Sequence, residues 1–296
     1  MLSTIKSVYL NGLDGYTVQV EVDVSAGIPE FDIVGLPDES IKESKERVSI
    51  AIKNSGYEFE SRKIVVNLAP ASIRKGGASI DLPIAIGILI STNQLKNKRD
   101  LSKIAFVGEL SLDGSINSVN GILPICIEAK KIGFDEIIIP KANEKEASIV
   151  KGIKAKGVKN LNEVISYLRG ETNIDSYKTD WENIAYENQK YSIDFSDVKG
   201  QENAKRALEI AAAGGHNCLL IGSPGTGKTM LAERLITILP DLSYNESLEV
   251  MKIYSVAGLL NDKEPIIIQR PFRSPHHSIS PTALIGGGRI PKPRGD

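Results

Sequence analysis

Apolar residues alternate with polar ones near the start of the chain, and glycine and proline residues interrupt this alternation. The alternating positions are Val18, Val20, Val22, Val24, Phe31 and Ile33. A period of two is typical of half-buried strands, so we predict strands within residues 7–34 and another strand over 63–68.

Apolar residues spaced three and four apart predict helices after these strands. Asp38 can cap a first helix that ends near Gly56, and Asp81 can cap a second helix over 83–93, which Pro83 opens. The second helix contains the stretch PIAIGILI, which is apolar nearly all round, so we expect it to be buried. Further predicted elements are a hairpin over 103–118 around Asp113-Gly114, a helix over 123–132, a strand over 136–139, and helices near 143–150 and 160–169. Together they predict an α+β domain over residues 1–170.

A polar stretch without clear periodicity follows, and we interpret residues 171–193 as a linker. A segment of this kind is most simply a tether, but it contains Trp181 and three tyrosines, which leave packing on a domain open as the alternative. From residue 194 to 296 the pattern changes to that of an α/β nucleotide-binding domain. Its predicted elements are a helix over 201–213, a strand over 217–221, and helices over 228–238 and 245–258.

Composition narrows the class of protein only slightly. A length of 296 residues suits about two domains. The 36 lysine and arginine residues balance 37 acids, so any nucleic-acid binding must rest on a local patch. Cys126 and Cys218 lie in separate apolar runs, which favours the reducing cytoplasm. We expect no membrane span, because no apolar run reaches about 18 residues.

A glycine-rich loop carries the most specific motif. The pattern G-x-x-x-x-G-K-[ST] is matched by Gly222, Ser223, Pro224, Gly225, Thr226, Gly227, Lys228 and Thr229. In such loops backbone N–H groups surround phosphate oxygens at a helix N-terminus, the lysine reaches the β- and γ-phosphates, and the threonine holds Mg²⁺. A chance match is disfavoured, because strand and helix patterns flank the loop. The motif predicts binding of a nucleotide with magnesium.

Hydrolysis requires more than this loop, because P-loop ATPases hold magnesium and position water with acids after a second apolar strand. The acids that follow Thr229 are Glu233, Asp241, Glu246, Glu249, Asp262, Glu264 and Asp296, and none directly follows an apolar run of four. We therefore expect the sequence to stop inside its ATPase domain, before the acidic Walker B motif. No catalytic residue is assigned.

A basic segment lies from residue 262 onward, with six lysine and arginine residues against three acids. Its candidate nucleic-acid contacts are Arg270, Arg273, Arg289, Lys292 and Arg294. Such a loop could bind DNA phosphates, or it could be a solvated loop whose arginines pair with neighbouring subunits. The adjacent His276 and His277 lack the spacing of metal ligands, so we predict no metal site there.

Several segments resemble the magnesium-chelatase-like AAA+ family, and in particular its ComM/YifB branch. They are DFSDVKGQ at 194–201, AKRALEIAAAGGHN at 204–217, the P-loop, RPFRSPHHSIS at 270–280 and ALIGGG at 283–288. The resemblance implies that Val198 and Gly200 lie near the adenine of ATP and that Thr229 binds its Mg²⁺. It also implies a homo-hexamer that acts on DNA, with residues from about 262 in an insert directed toward the ring pore.

Residues 1–170 resemble the Lon-protease C-terminal domain that this branch carries at its N-terminus. The supporting segments are RKGGAS at 74–79 and IIIPKANEKEA at 137–147. A Lon-type peptidase would use Ser79 with a lysine partner, but Gly121 to Ile125, where that lysine would fall, contains none. We therefore interpret Ser79 as a turn or helix-entry residue and expect no protease.

Three functions remain open from the sequence. The first is an ATP-binding AAA+ motor subunit that moves along DNA, as a helicase or in branch migration, during recombination or natural transformation. The second is a motor subunit for magnesium insertion into a porphyrin, which the leading Lon-like domain disfavours. The third is a nucleotide-binding fragment without hydrolysis.

Overall fold

The computed structural model describes residues 2–73, 75–187, 191–260, 266–276 and 278–279, and for residues 185–187 it describes the backbone alone. Within these ranges, the chain up to Thr179 together with 252–260 forms one compact unit. Residues from Asp180 to Met251 and those from Ile266 onward form a second unit. The predicted boundaries at 170 and 193 stay predictions.

The bounds of the elements agree closely with the patterns in the first 170 residues. The strands are β1 (Leu2–Asn11), β2 (Asp14–Ser25), β3 (Glu30–Val34), β4 (Lys63–Ala69), β5 (Ile104–Phe106), β6 (Glu109–Leu110), β7 (Ile116–Asn117), β8 (Glu136–Pro140) and β9 (Lys154–Val158). The helices are α1 (Glu39–Asn54), α2 (Asp81–Ser91), α3 (Ile122–Ile132), α4 (Glu144–Ala147), α5 (Leu161–Leu168), α6 (Trp181–Glu187), α7 (Glu202–Gly214), α8 (Lys228–Arg234) and α9 (Tyr244–Ala257).

Seven strands form one mixed sheet in the order β3-β4-β2-β1-β5-β8-β9. The central strands β4, β2 and β1 pair antiparallel, whereas β3 pairs parallel with β4 and β5, β8 and β9 follow parallel beyond β1. Parallel neighbours require crossover connections, and helices α1 and α3 supply them between β3 and β4 and between β5 and β8. The sheet confirms the α+β fold predicted for this part of the chain.

Helix α2 is the central buried element of the first unit. Residues 81–89 of this helix are all buried, as its apolar composition predicts. Gly87 allows a close approach to β2, because a Cβ on it would lie 2.5 Å from Val22 Cγ2. Ser3 Oγ donates to the Gly87 carbonyl at 2.8 Å and ties the helix to β1.

The predicted capping role of Asp81 is wrong, whereas that of Asp38 is confirmed. Asp38 Oδ1 accepts from the Ile41 N–H at 3.0 Å. Asp81 lies in the first turn of α2, after the N-cap Ile80, and its carboxylate pairs with the Arg47 guanidinium at 2.9 Å. The Asp81 carboxylate therefore neutralises the charge of Arg47 on helix α1 instead of capping helix α2.

One predicted hairpin needs correction, and one strand was missed. Within 103–118, β5 joins the large sheet and only β6 and β7 form a hairpin, with Gly114 at φ +84° in the turn. Strand β9 was not predicted, because its sequence KAKGV is short and lysine-rich although the strand is largely buried. The segment interpreted as a linker contains helix α6. Its first part packs on the first unit, where Lys156 Nζ donates to the Ile174 carbonyl.

The strand predicted over 217–221 is also wrong, since these residues form no strand and the side chains of Leu219 and Ile221 are exposed. A strand needs a partner for its backbone N–H and C=O groups, and no strand is assigned in the described part of the second unit. The apolar pattern alone therefore does not produce a strand here. The second unit is instead held by a small buried cluster of Phe195, Val198, Leu208 and Leu231.

Candidate nucleotide-binding site

The loop 222–229 leads directly into helix α8. Gly225 and Gly227 have φ values of +81° and +84°, a left-handed conformation that strains any residue with a Cβ. Gly227 is the N-cap of α8, and the helix begins at Lys228. The glycines at these positions therefore set the turn that places the loop at a helix N-terminus.

Lys228 folds back over the loop. Its Nζ donates to the carbonyls of Gly222 and Ser223 at 2.9 Å and 2.7 Å. Thr226 Oγ1 braces the same turn by donating to the Ser223 carbonyl at 2.9 Å. The ammonium is thus held on the loop itself.

The loop presents backbone donors to an incoming anion. Among the described residues, the N–H groups of Ser223, Gly225, Thr226 and Gly227 have no hydrogen-bond acceptor, and these four residues are exposed. Unpaired N–H groups beside a helix N-terminus and a lysine suit phosphate oxygens. The exposed Thr229, next to Lys228, likewise has a hydroxyl without a partner in the described part of the chain. These residues fit a nucleotide phosphate with Mg²⁺.

The segment before α7 contacts helix α8, which follows the loop, and the turn after that helix. Phe195 N–H donates to Thr237 Oγ1 at 3.1 Å, and Arg234 Nε pairs with Asp197 Oδ2 at 3.3 Å. The Val198 side chain is only 4% exposed, because it packs in the cluster with Leu231 of α8. The position of Val198 relative to an adenine stays a prediction.

Gly200 and Gln201 form a turn that contacts the loop, and the P-loop motif did not predict this contact. Gly200 has φ +67° and Gln201 has φ +60°. Gln201 Nε2 donates to the Thr226 carbonyl at 3.4 Å, which connects this turn to the P-loop. The sequence DFSDVKGQ contained the glutamine, but no local pattern indicates a contact 25 residues away.

The basic segment is described only in part. Arg270 Nε donates to the Pro240 carbonyl at 2.7 Å, and its guanidinium pairs with Glu246 at 3.3 Å. Hydrogen bonds from Ser243 and this arginine hold the pKa of Glu246 below its usual value. Arg273 also has an interaction partner, and beside it the Phe272 side chain is 38% exposed. The predicted contacts Arg289, Lys292 and Arg294 lie outside the described residues.

Ser79 lies in the turn before α2, where its carbonyl accepts from the Gly108 N–H at 2.8 Å. It lines an open cleft of about 370 Å³ together with Glu109 and Ile125. The nearest lysine in sequence, Lys75, is fully buried and donates to three carbonyls, of Gly35, Leu68 and Pro70. Burial lowers the pKa of Lys75. No contact joins its ammonium to the Ser79 hydroxyl in the described part of the chain.

The described residues contain no cluster of three or more His, Cys, Asp or Glu side chains suited to a metal ion, and His277 lies outside these residues. In the same residues, no helix combines the length and apolar composition needed to cross a membrane.

Comparison with known protein families gives two matches. Residues 20–143 match the family described as subunit ChlI of Mg-chelatase, and residues 194–295 match the family described as magnesium chelatase, subunit ChlI. The second match includes the P-loop and the basic segment.

Curated relatives agree with these matches. The protein named YifB of Escherichia coli K12 is 46% identical over 283 residues, which cover 95% of this chain and 54% of the relative. Competence protein ComM of Haemophilus influenzae is 43% identical over 284 residues, which cover 95% of this chain and 55% of the relative. The chain thus spans about half the length of these relatives.

A weaker similarity links the chain to Lon proteases. Lon protease of Brevibacillus choshinensis is 25% identical over 165 residues, which cover 52% of this chain and 21% of the relative. Together with the two family matches, it supports the predicted combination of a Lon-like fold and a chelatase-like AAA+ fold. The chain therefore belongs to the magnesium chelatase ChlI-like AAA+ family, among the proteins named YifB and ComM.

Proposed function

We propose that this chain binds Mg·ATP through residues 222–229 and forms part of an AAA+ motor that acts on DNA. The observation that carries the proposal is the loop itself, in which exposed backbone donors, Lys228 and Thr229 meet at the start of α8. The magnesium chelatase family match over 194–295 adds support, because nucleotide and Mg²⁺ use is general in AAA+ proteins.

Each loop residue has a role in this proposal. The N–H groups of Ser223, Gly225, Thr226 and Gly227 bind phosphate oxygens, and Lys228 exchanges its carbonyl partners for the β- and γ-phosphates. Thr229 offers its hydroxyl to Mg²⁺, while Val198 and Gly200 lie toward the adenine. Hydrolysis of the bound ATP to ADP and phosphate would supply the free energy for a motor.

DNA as the substrate is supported by the name of one relative and by charge. The Haemophilus influenzae relative is named a competence protein, and competence is the capacity to take up DNA. The basic residues Arg270, Arg273, Arg289, Lys292 and Arg294 would contact DNA phosphates. Arg270 is paired with Glu246 and Arg273 also has an interaction partner, so either guanidinium would exchange that partner for a DNA phosphate. The action proposed is helicase or branch-migration activity during recombination or natural transformation.

Assembly and location follow as parts of the same proposal. AAA+ motors work as rings, so a homo-hexamer of the whole protein is proposed. The cytoplasm is the proposed compartment, because Cys126 and Cys218 are both free thiols.

Two alternatives keep specific support. The family descriptions name magnesium chelatase, which favours a motor for metal insertion into a porphyrin. The Lon-like part and the competence-protein relative speak against it. The third alternative, nucleotide binding without hydrolysis, is supported by the absence of a Walker B pattern after Thr229 in this sequence.

ATP turnover measured with and without duplex DNA, beside a Lys228→Ala variant, separates these functions. DNA-stimulated turnover that the variant loses supports the motor on DNA. Mg·ATP binding without turnover supports the nucleotide-binding fragment and assigns hydrolysis to residues this chain lacks. Turnover that responds to a porphyrin and chelatase partner subunits, but not to DNA, overturns the DNA proposal.

A further inference from the structure

Lysines concentrate at one end of the parallel strands in the first unit. Three segments precede or enter β5, β8 and β9, namely 96–103, 130–136 and 151–156. Together they carry nine lysine and arginine residues against three acids. The whole chain is nearly neutral, so this is a local excess of positive charge. The amino ends of adjacent parallel strands lie at the same edge of a sheet, which brings the three segments together.

Backbone contacts fix the order of these segments. Asp135 N–H donates to the Lys103 carbonyl at 3.0 Å, and Lys154 N–H donates to the Asp135 carbonyl at 3.1 Å. Lys103 and Lys154 are therefore two strand spacings apart, about 10 Å. Lys130 Nζ lies beside Gly152, 3.3 Å from the position of a Cβ on that glycine.

An open cleft of about 740 Å³ lies at this edge. Lys103 and Lys154 line this cleft, and Lys130 lies at its border beside Gly152. We call the cleft with these three lysines the lysine cleft. All three side chains are exposed, and none forms an ion pair within the described part of the chain.

Three carboxylates, Asp100, Asp135 and Glu136, also line this cleft. Asp100 Oδ1 accepts from the Ser102 N–H at 2.9 Å, and Glu136 accepts from the Tyr167 hydroxyl. Asp135 is the exposed carboxylate between Lys103 and Lys154, and it makes no side-chain hydrogen bond to another described residue. With Arg99, the lining holds three cations against these three carboxylates, so the positive excess at this edge comes from Lys130 at the border and from the other lysines of the three segments.

The aromatic residues at this edge exclude one mode of binding. Phe134 is 5% exposed and Tyr167 is fully buried, so neither ring offers a face for base stacking. Lysines bind phosphates as point charges without reading bases. These features favour the backbone of a duplex over an unstacked single strand.

We propose that the lysine cleft binds the phosphate backbone of duplex DNA, without sequence preference. This inference rests on the proposed DNA substrate and adds a second contact surface on the Lon-like unit, remote in sequence from Arg273. It assigns that unit a role in holding the duplex.

The test uses the full chain, labelled duplex DNA and fluorescence anisotropy over a range of salt concentrations. The triple variant Lys103→Ser, Lys130→Ser, Lys154→Ser is compared with the control triple Lys42→Ser, Lys145→Ser, Lys159→Ser. The control removes the same charge from exposed lysines, one of which lies beyond the opposite end of β9. Circular dichroism checks that all variants keep the fold.

We expect the cleft triple to bind at least about tenfold more weakly at 0.1 M salt, with a salt slope reduced by about two to three. The control triple should keep the wild-type slope, and Asp135→Asn should tighten binding. An unchanged slope in the cleft triple overturns this inference while wild-type binding upholds the DNA proposal. Equal losses in both triples, or a loss limited to single strands, also overturn it. If the wild-type chain binds no duplex, both proposals fail.

Discussion

At the scale of single residues, the carboxylate of Asp81 joins three elements of the first unit. It accepts from Arg47 and Ser44 of α1 and, at 3.3 Å, from the Leu110 N–H of β6. Burial raises the pKa of Asp81, and the hydrogen bonds from Arg47 and Ser44 oppose that rise. The sequence placed Asp81 at a helix start but could not reveal Arg47, because the pairing spans 34 residues and depends on how α1 packs on α2.

Replacement of Asp81 by asparagine should destabilise the chain by about 3 kcal/mol, because it leaves the half-buried Arg47 without its buried counterion. Urea denaturation followed by circular dichroism measures the change. The matched control is Asp32→Asn, since Asp32 is 44% exposed and pairs with Lys45 at 3.2 Å. That exposed pair should contribute less than about 1 kcal/mol. Equal losses in the two variants would contradict a structural role for the buried pair.

At the scale of elements, a predicted strand formed only where another strand of the chain pairs with it. Strands β2 to β4 and helix α2 were predictable, because alternation and an all-round apolar stretch are strong local signals, whereas β1 begins at Leu2, before the predicted strands. Strand β9 was missed, because its lysines interrupt the apolar pattern expected of a buried strand. It nevertheless pairs with the neighbouring strand β8. The apolar run 217–221 carried an equally strong pattern but has no paired strand in the described part of the second unit.

This difference predicts unequal reactivity of the two thiols. Cys218 lies in the unpaired run and is exposed, so it should react rapidly with iodoacetamide at pH 8. Cys126 is fully buried in α3, and burial raises the pKa of its thiol, so it should react only after unfolding. Peptide mass spectrometry identifies the labelled residue. A protected Cys218 in the native chain would contradict the exposed conformation of 217–221.

At the scale of the whole molecule, the two units differ in how far sequence could define them. The first has an extensive core built on one sheet, and its fold followed from period and capping signals. In the second, the motif predicted a glycine-rich turn that leads into a helix, and the structure has that turn, whereas phosphate binding stays a proposal. The hydrogen bond from Gln201 to that loop was not predictable, because it depends on a tertiary contact.

The most direct test of the account is the equilibrium binding of Mg·ATP, measured by isothermal titration calorimetry. The wild-type chain is compared with Lys228→Ala and with Lys205→Ala, whose lysine pairs with Glu202 in α7 outside the loop. We predict that the wild type and Lys205→Ala bind alike and that Lys228→Ala binds at least tenfold more weakly, a loss of about 1.4 kcal/mol or more. Equal affinity in Lys228→Ala, or no binding by the wild type, would contradict the proposed nucleotide site.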